Sequence, residues 1–439
     1  MKQQINLLKS KFLSSDIAKR MASGAIWSFT GTALAKFIVL VAGILCARIL
    51  TQEEYGEFGM VRSTINTFVV FGMAGIGLTA TKYISEYKKT QQSKISGVYI
   101  LTNGFALLTG ILITLLIYYL ASYLAVTTLN APHLQRAIQL GAVLLFFTVL
   151  NSAQNGTLAG LENFKAIALN TLWGSIAESI LMLVGAYYAG VMGAILGYGC
   201  GFVVLYICNH ISIRKSFKNL KIKIVFSNFN KDYFKILYRF TLPAALSSFM
   251  VTPTYWIIRT MLVNKCGFDE LAIYEAADQW KIIILFIPSA ISNVVLPILS
   301  GLSTENNQKQ FWKILRINLF LNAGIAFILA LIISSCSPLI MSFYGSTYTD
   351  YSVLIILCFS TVFSAIANIV GLSISSRAKM WVGFAFNMCW SFMIISFSIL
   401  FLSLNFGALG CALALLCAYI LHSIAQLVYL YYINSKQYG

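Results

Sequence analysis

The segment LTNGFALLTGILITLLIYYL, residues 101–120, contains no Asp, Glu, Lys or Arg. A helix of roughly 20 apolar residues crosses the hydrocarbon core of a bilayer, so this segment predicts a membrane span. The rest of the chain has the same character, because 59% of its 439 residues are hydrophobic and only 10% are charged. Soluble domains carry about 25% charged residues. This composition argues against a soluble enzyme or a nucleic-acid binder. The net charge of +17 is therefore better explained by contact with membrane lipids.

Apolar runs of similar length recur along the chain and predict an all-α polytopic membrane protein with twelve transmembrane helices. With the N-terminus inside, 24 of the 31 Lys and Arg residues fall on the cytoplasmic side and three on the outer side. Short basic loops are retained in the cytoplasm, so both termini are predicted to be cytoplasmic. The polar segment Met1 to Arg20 does not resemble a signal peptide. The predicted spans are 22–47, 58–81, 96–120, 137–159, 166–189, 191–212, 237–262, 272–299, 313–337, 351–373, 381–402 and 406–432.

The spans divide evenly about a basic stretch near the middle of the chain. Six spans on either side predict two six-helix bundles related as a parallel repeat, because an even number of spans preserves membrane orientation. A short internal likeness, Ser28-Phe29-Thr30 against Arg239-Phe240-Thr241, agrees with this. The predicted organisation is a cytoplasmic N-terminal segment (1–20), a first bundle (21–212), a basic cytoplasmic linker (213–236), a second bundle (237–433) and a cytoplasmic tail (434–439).

Several kinds of chemistry have no visible signature in this chain. The nine cysteines are scattered without a CxxC spacing, and the three histidines are far apart, so we expect no metal site and no cofactor. No phosphate-binding loop of the GxxxxGK[ST] type occurs. The longest predicted outer loop, 121–136, contains no Asp or Glu that could serve catalysis. We therefore expect a protein that is not an enzyme and that draws energy from a gradient or from its substrate.

Ionisable residues within the spans are the informative ones, because each costs on the order of 3 kcal/mol to insert. In one interpretation they pair as salt bridges between packed helices and stabilise the fold. In the other they line a hydrated cavity for an anionic polar ligand, with Glu178 as a proton-titrating switch. The predicted substrate-binding cations are Lys36, Arg62, Arg259 and Lys281, and the candidates for ion coupling are Glu178, Glu275 and Asp278.

The seventh span contains two prolines, Pro243 and Pro253, which remove backbone hydrogen bonds and allow a helix to bend. We predict that they form a hinge. Aromatic residues near these spans are candidates for stacking on sugar rings, although aromatics at span ends often serve as interface anchors. They are Tyr55, Tyr255, Trp256, Tyr274 and Trp280.

Several short segments resemble the polysaccharide-repeat-unit flippases (Wzx type) of the multidrug/oligosaccharidyl-lipid/polysaccharide exporter superfamily. They are GAIW at 24–27, RILTQEEYG at 48–56, GIGL at 75–78 with TKYISE at 81–86, and AIYEAADQW at 272–280. The resemblance implies two bundles that alternate between inward-open and outward-open forms around a cationic lumen. It also implies transport of undecaprenyl-pyrophosphate-linked oligosaccharide across the bacterial inner membrane. Twelve spans fit these proteins better than the related lipid II flippases, which have fourteen.

The sequence thus predicts an inner-membrane flippase for O-antigen or capsule repeat units. Its expected partners are the lipid-linked glycan, the bilayer, a glycan polymerase and a chain-length regulator, with no nucleic acid. A multidrug or cation antiporter of the same superfamily is an alternative. It is disfavoured because no Asp or Glu lies within the first four predicted spans, where the drug-exporting branch often has its cation site. A multi-spanning glycan polymerase or ligase is a further alternative.

Overall fold

The computed structural model describes residues 16–73, 75–224, 250–304, 308–377 and 379–438, and every regular element within these ranges is a helix. This confirms the predicted all-α class. A π-helical turn (Leu124–Thr128) and a 3-10 turn (Pro132–Leu134) separate the helix that ends at Tyr123 from the helix that begins at Gln135. The helices are α1 (Asp16–Ile49), α2 (Gln52–Met73), α3 (Ile76–Thr90), α4 (Ser93–Tyr123), α5 (Gln135–Gly160), α6 (Phe164–Asn219), α7 (Val251–Cys266), α8 (Phe268–Thr304), α9 (Gln308–Ser335), α10 (Ser337–Ser342), α11 (Ser352–Ser376), α12 (Met380–Ser403) and α13 (Gly407–Tyr438).

Each of the twelve predicted spans overlaps a described helix. By length and composition, eight described helical segments qualify as membrane spans, and a ninth arises when α2 and α3, which meet at a bend of 41°, are taken together. α6 contains two predicted spans, and α8 contains the eighth. Residues 237–249 of the seventh predicted span lie outside the described residues, and its remainder belongs to α7. The second predicted span is therefore broken into two helices, a feature that its continuous apolar pattern did not reveal.

The long helix α6 consists of two limbs that fold against each other. Ala189 and Gly190 have non-helical backbone angles, and Gly190 has a φ of 55°, which a residue without a Cβ adopts at little cost. The chain reverses there, so that Leu181 lies beside Gly197 and Glu178 beside Gly201. The fifth and sixth predicted spans are these two limbs, and the second limb continues to Asn219, into the segment predicted as a linker.

The helices pack as two groups that meet along a few elements. In the first half (α1–α6), α1 packs along α6, and α5 packs against α3, α4 and α6. In the second half (α7–α13), α11 packs against α8, α9 and α13, and α12 packs against α13. The two halves meet where α2 contacts α7 and α8 and where α1 contacts α8. The domain boundaries themselves stay a prediction, since half of the predicted linker, residues 225–236, lies outside the described residues.

Polar contacts join the halves at the end of the molecule where α1 and α7 end and α2 and α8 begin. We call this the closed end. Arg48 donates from Nε to the carbonyl of Phe343 (2.6 Å), and Gln52 donates from Nε2 to the carbonyl of Asp269 (3.1 Å). Asn264 donates from Nδ2 to the carbonyl of Thr128 (2.9 Å). Because these bonds link the two halves, any separation of the halves at this end must break them.

Candidate functional site

A cavity of about 680 Å³ lies between the two halves, with walls from α1, α2, α6, α7 and α8. Its volume falls in the range of about 300–1,000 Å³ that is typical of ligand sites. All seven ionisable residues singled out from the sequence line it, although they come from five helices. The polar and charged lining residues are Thr32, Lys36, Arg62, Ser63, Asn66, Thr171, Ser175, Glu178, Tyr198, Thr252, Tyr255, Arg259, Glu275, Asp278, Gln279 and Lys281.

Glu275 stands at the centre of the charged wall, between two guanidinium groups. Its Oε2 accepts from Nη2 of Arg62 at 2.7 Å, and its Oε1 accepts from Nε of Arg259 at 2.5 Å. The Glu275 side chain is 4% exposed, so both bonds lie away from bulk water. Arg62 belongs to the first half and Glu275 to the second. This carboxylate therefore joins the halves at the cavity wall.

The chain of ion pairs continues into the second half. Arg259 donates from Nη2 to Oδ2 of Asp278 at 3.0 Å, and Lys281 contacts Oδ1 of the same carboxylate at 2.5 Å. The Lys281 ammonium also lies 4.5 Å from the centre of the Tyr255 ring, a cation–π contact. Asp278 and Lys281 are three positions apart on α8 and so share a face of that helix.

These ion pairs can be compared with the two interpretations of the charged residues, as salt bridges that stabilise the fold or as the lining of a ligand cavity. Arg62, Arg259 and Lys281 all pair with acids, as the salt-bridge interpretation requires. The same groups also line the cavity, as the ligand-binding interpretation requires. Three cations share two carboxylates, so the cluster retains one formal positive charge.

Lys36 and Glu178 differ from the other charged residues of the cavity. Within the described part of the chain, neither forms a salt bridge, and both side chains are partly exposed to the cavity. The Lys36 ammonium lies 6.0 Å from the centre of the Phe286 ring, so one side of it faces an aromatic group. These two groups are the charges of the cavity that can meet a ligand without first losing an ionic partner.

In the fifth predicted span, Asn170, Gly174 and Glu178 recur at intervals of four residues and form a polar stripe that has two functions. Asn170 donates to Oδ1 of Asn209 at 2.9 Å, and Gly174 packs against the second limb of α6. These residues therefore hold the two limbs together. Glu178 lies at the edge of the stripe, where the backbone of Gly201 leaves room for its stem and its carboxylate reaches the cavity.

The five aromatic residues predicted to stack on sugar rings occupy different environments in the structure. Tyr255 lines the cavity, whereas Tyr55 and Tyr274 are each 1% exposed and contribute to the core. Trp256 donates from Nε1 to Oγ1 of Thr64 at 2.9 Å, a further bond between the halves, and Trp280 donates to the Tyr344 hydroxyl at 3.2 Å. Only Tyr255 of these five is therefore positioned on the cavity wall.

Sequence reasoning missed Tyr198, which lines the cavity and whose hydroxyl donates to Oδ1 of Asn66 at 3.3 Å. It also missed Gln279, which lines the cavity and donates to the Tyr55 hydroxyl. A tyrosine within an apolar span carries no distinct signal. Gln279 could have been recognised from its position between Asp278 and Lys281.

Of the two prolines predicted to form a hinge, only one lies in the described part of the chain. Pro243 lies outside the described residues. Pro253 lies in the first turn of α7 as described, where a backbone N–H has no acceptor within the helix. The bending of this segment stays a prediction.

Among the described residues, no group of three or more His, Cys, Asp or Glu side chains could hold a metal ion.

Comparisons with solved structures identify the fold. The chain is similar to a multidrug resistance MATE family transporter in an inward-facing conformation, with a TM-score of 0.80 and 15% identity over 90% of this chain and 93% of the other. An outward-facing structure of a transporter of the same description gives a TM-score of 0.74 over 98% of both chains, also at 15% identity. These likenesses confirm the predicted fold of the exporter superfamily.

Comparisons of sequence identify the family. The chain is 22% identical to the EPS I polysaccharide export inner membrane protein EpsE of Ralstonia solanacearum over 90% of both chains. It is 24% identical to the capsular polysaccharide biosynthesis protein CapF of Staphylococcus aureus, covering 88% of this chain and 92% of the other. The lipid III flippase of Escherichia coli K12 is 22% identical over 65% of this chain and 69% of its own. The family model described as "Polysaccharide biosynthesis protein" matches residues 21–303. The predicted resemblance is thereby confirmed, and the chain belongs to this family of multi-pass membrane transport proteins.

Proposed function

We propose that this protein is a flippase that moves polyprenyl-pyrophosphate-linked oligosaccharide repeat units across the bacterial inner membrane by alternating access. One observation carries the proposal: a cavity between the two halves is lined by four cations and three acids, and two of these charges are without an ionic partner among the described residues. The names of the relatives, a polysaccharide export protein and a lipid III flippase, support the same substrate class.

The proposed binding mode separates the substrate by polarity. The pyrophosphate lies near Lys36 and the two cavity arginines, and hydroxyl and amide side chains of the wall bond to the sugars. The polyprenyl chain stays in lipid and enters between the halves, because transferring so much hydrocarbon into a charged cavity is unfavourable. The cavity then has to shield only the polar headgroup of the substrate.

The orientation follows from the distribution of basic residues. Most basic residues of the first half lie at the end of the molecule opposite the closed end. They are Lys82, Lys88, Lys94 and the basic residues at the end of α6. By the positive-inside rule the closed end is the outer face and both termini are cytoplasmic. In this orientation the described conformation is closed toward the outside, and we infer that substrate enters the cavity from the cytoplasmic side.

Deletion of the gene tests the proposed function directly. We expect loss of one surface polysaccharide and accumulation of its lipid-linked repeat unit at the cytoplasmic face, with unchanged susceptibility to cationic drugs. Increased drug susceptibility with normal surface polysaccharide would support an antiporter instead. Altered chain length or attachment with normal translocation would support a glycan polymerase or ligase. The predicted partnership with a polymerase and a chain-length regulator stays a prediction.

Glu178 is the proposed site of coupling to a proton gradient, because its carboxylate faces the cavity and has no ionic partner among the described residues. Uptake of a proton removes its charge and changes the balance with Lys36 and Arg62. In proteoliposomes, we expect an imposed pH gradient to accelerate transport by the wild type and to have no effect on Glu178→Gln. Glu53→Gln, at an exposed position of the closed end, is the matched control and should respond as the wild type does. A Glu178→Gln variant that still responds would assign coupling elsewhere.

A further inference from the structure

The ion pair between Arg62 and Glu275 links the two halves within the substrate cavity itself. Both residues line the cavity, and the Arg62 and Glu275 side chains are 21% and 4% exposed. Trp256 adds a neighbouring bond to Thr64 across the same boundary. Unlike the backbone-directed bonds of the closed end, the Arg62 bond lies where a substrate anion would bind.

A glycine of α2 lies beside this pair and makes room for the Glu275 side chain. A Cβ atom at Gly59 of α2 would lie 2.7 Å from Cγ of Glu275, too close for any larger residue without a shift. α2 therefore packs directly on the Glu275 side chain where the carboxylate reaches Arg62. If the halves separate at the closed end, this contact is lost and Arg62 moves away from Glu275.

The chemistry of the pair makes it exchangeable with a substrate anion. A guanidinium group bonds carboxylate and phosphate oxygens in the same geometry, and phosphate offers more oxygens and more charge. Within the described chain, the salt bridges of Arg62 go to Glu275 alone, whereas Arg259 also bonds to Asp278. An anion can thus take Arg62 while Glu275 remains paired with Arg259, so that no buried charge is left without a partner.

We propose that Glu275 is a displaceable latch: the pyrophosphate of the substrate competes with Glu275 for Arg62, releases α2 from α8, and thereby permits the closed end to open. This inference rests on the proposed function and adds to it the step by which binding triggers the conformational change. A transporter built in this way stays closed at the outer face until an anion enters, and neutral amphiphiles do not open it.

Cross-linking at the closed end measures the latch without requiring transport. Thr127 of the first half and Lys265 of the second are exposed and flank the bond between Asn264 and Thr128. Both are changed to Cys in a background that lacks the nine native cysteines, and the protein is placed in lipid nanodiscs. A short bifunctional reagent then reports the closed fraction. The probes are farnesyl pyrophosphate, free inorganic pyrophosphate, and farnesol as the uncharged match.

In the wild-type background, we expect farnesyl pyrophosphate to reduce cross-linking and farnesol to leave it unchanged. Inorganic pyrophosphate tests whether the headgroup alone suffices, and a reduction by it would equally support the latch. Glu275→Gln should reduce cross-linking without any ligand by about fivefold or more, in the range of ordinary allosteric couplings. Asp269→Asn, near the start of α8, is the control, because the backbone carbonyl of this residue, not its side chain, accepts from Gln52.

A second variant guards against misfolding of the first. Arg62→Gln removes the other partner of the latch but leaves Glu275 bonded to Arg259, and it should open the closed end to the same extent. Glu275→Gln also loses the bond to Arg259, but that bond lies within the second half; both substitutions break the same contact between the halves, so the double variant should show no further opening. Additive effects, or unchanged cross-linking in both single variants, would overturn the latch.

Unchanged cross-linking of the wild type with both pyrophosphates would overturn the anion trigger. The proposed function fails by a different result, namely normal surface polysaccharide in the deletion strain. The two failures are therefore distinguishable, because cross-linking is measured on purified protein without any glycan.

Discussion

Replacing Lys36 with Gln is expected to reduce translocation of the lipid-linked repeat unit by about tenfold or more, because a hydrogen bond to a charged group is worth about 1.5–3 kcal/mol. Lys36 has no salt-bridge partner within the described residues, so its loss leaves no buried acid uncompensated. The amount of folded protein should therefore remain normal. Surface polysaccharide, compared with protein level by immunoblot, measures both quantities.

Two controls accompany the Lys36 prediction. Lys36→Arg keeps the charge and should retain most of the transport. Lys165→Gln removes a lysine that is exposed and stacks over Trp27 outside the cavity, and it should behave as the wild type does. Normal surface polysaccharide in Lys36→Gln would mean that the substrate does not depend on this ammonium group.

The second large effect is expected at Arg259, where substitution by Gln should lower both stability and transport. Arg259 is bonded to Glu275 and Asp278, and its side chain is 9% exposed. Removing one partner of a buried ion pair costs about 3–5 kcal/mol, since the remaining charges stay buried without compensation. We expect a lower unfolding temperature in detergent and less protein in the membrane.

Arg316→Gln, at an exposed position of α9, is the matched control for Arg259 and should leave the unfolding temperature unchanged. A stable, inactive Arg259→Gln protein would indicate that this residue contacts the substrate without stabilising the fold. A stable and fully active variant would show that the ion-pair cluster contributes to neither.

The contrast between Lys36 and Arg259 marks what the sequence alone could predict. The cost of inserting a charge into a membrane identified both residues and indicated a polar interior. It could not tell which cations are paired, because Arg62 and Glu275 are 213 positions apart and their contact depends on how the two halves pack. From the sequence, Lys36 and Arg259 had the same expected role, whereas the structure predicts different consequences for their removal.

Some features of the fold could likewise be predicted from the sequence, and others could not. Apolar runs predicted every described helical segment that qualifies as a membrane span, because hydropathy depends on composition. The break between α2 and α3 and the reversal at Gly190 were less visible, since each is a local backbone event within or between apolar segments. The paired limbs of α6 in turn decide the position of Glu178, because packing against the second limb directs Asn170 away from the cavity and leaves Glu178 at its edge.

The central claim is that Lys36 faces a water-filled chamber between the halves rather than lipid. Its sequence neighbour Phe37 provides the control, because it is 61% exposed on the outer surface of the helix group and is absent from the cavity wall. Each is changed singly to Cys in the cysteine-free background and treated with a water-soluble, anionic methanethiosulfonate in inverted membrane vesicles. We expect rapid modification of Lys36→Cys and little modification of Phe37→Cys. Equal modification of the two variants, or an unreactive Lys36→Cys, would contradict the account.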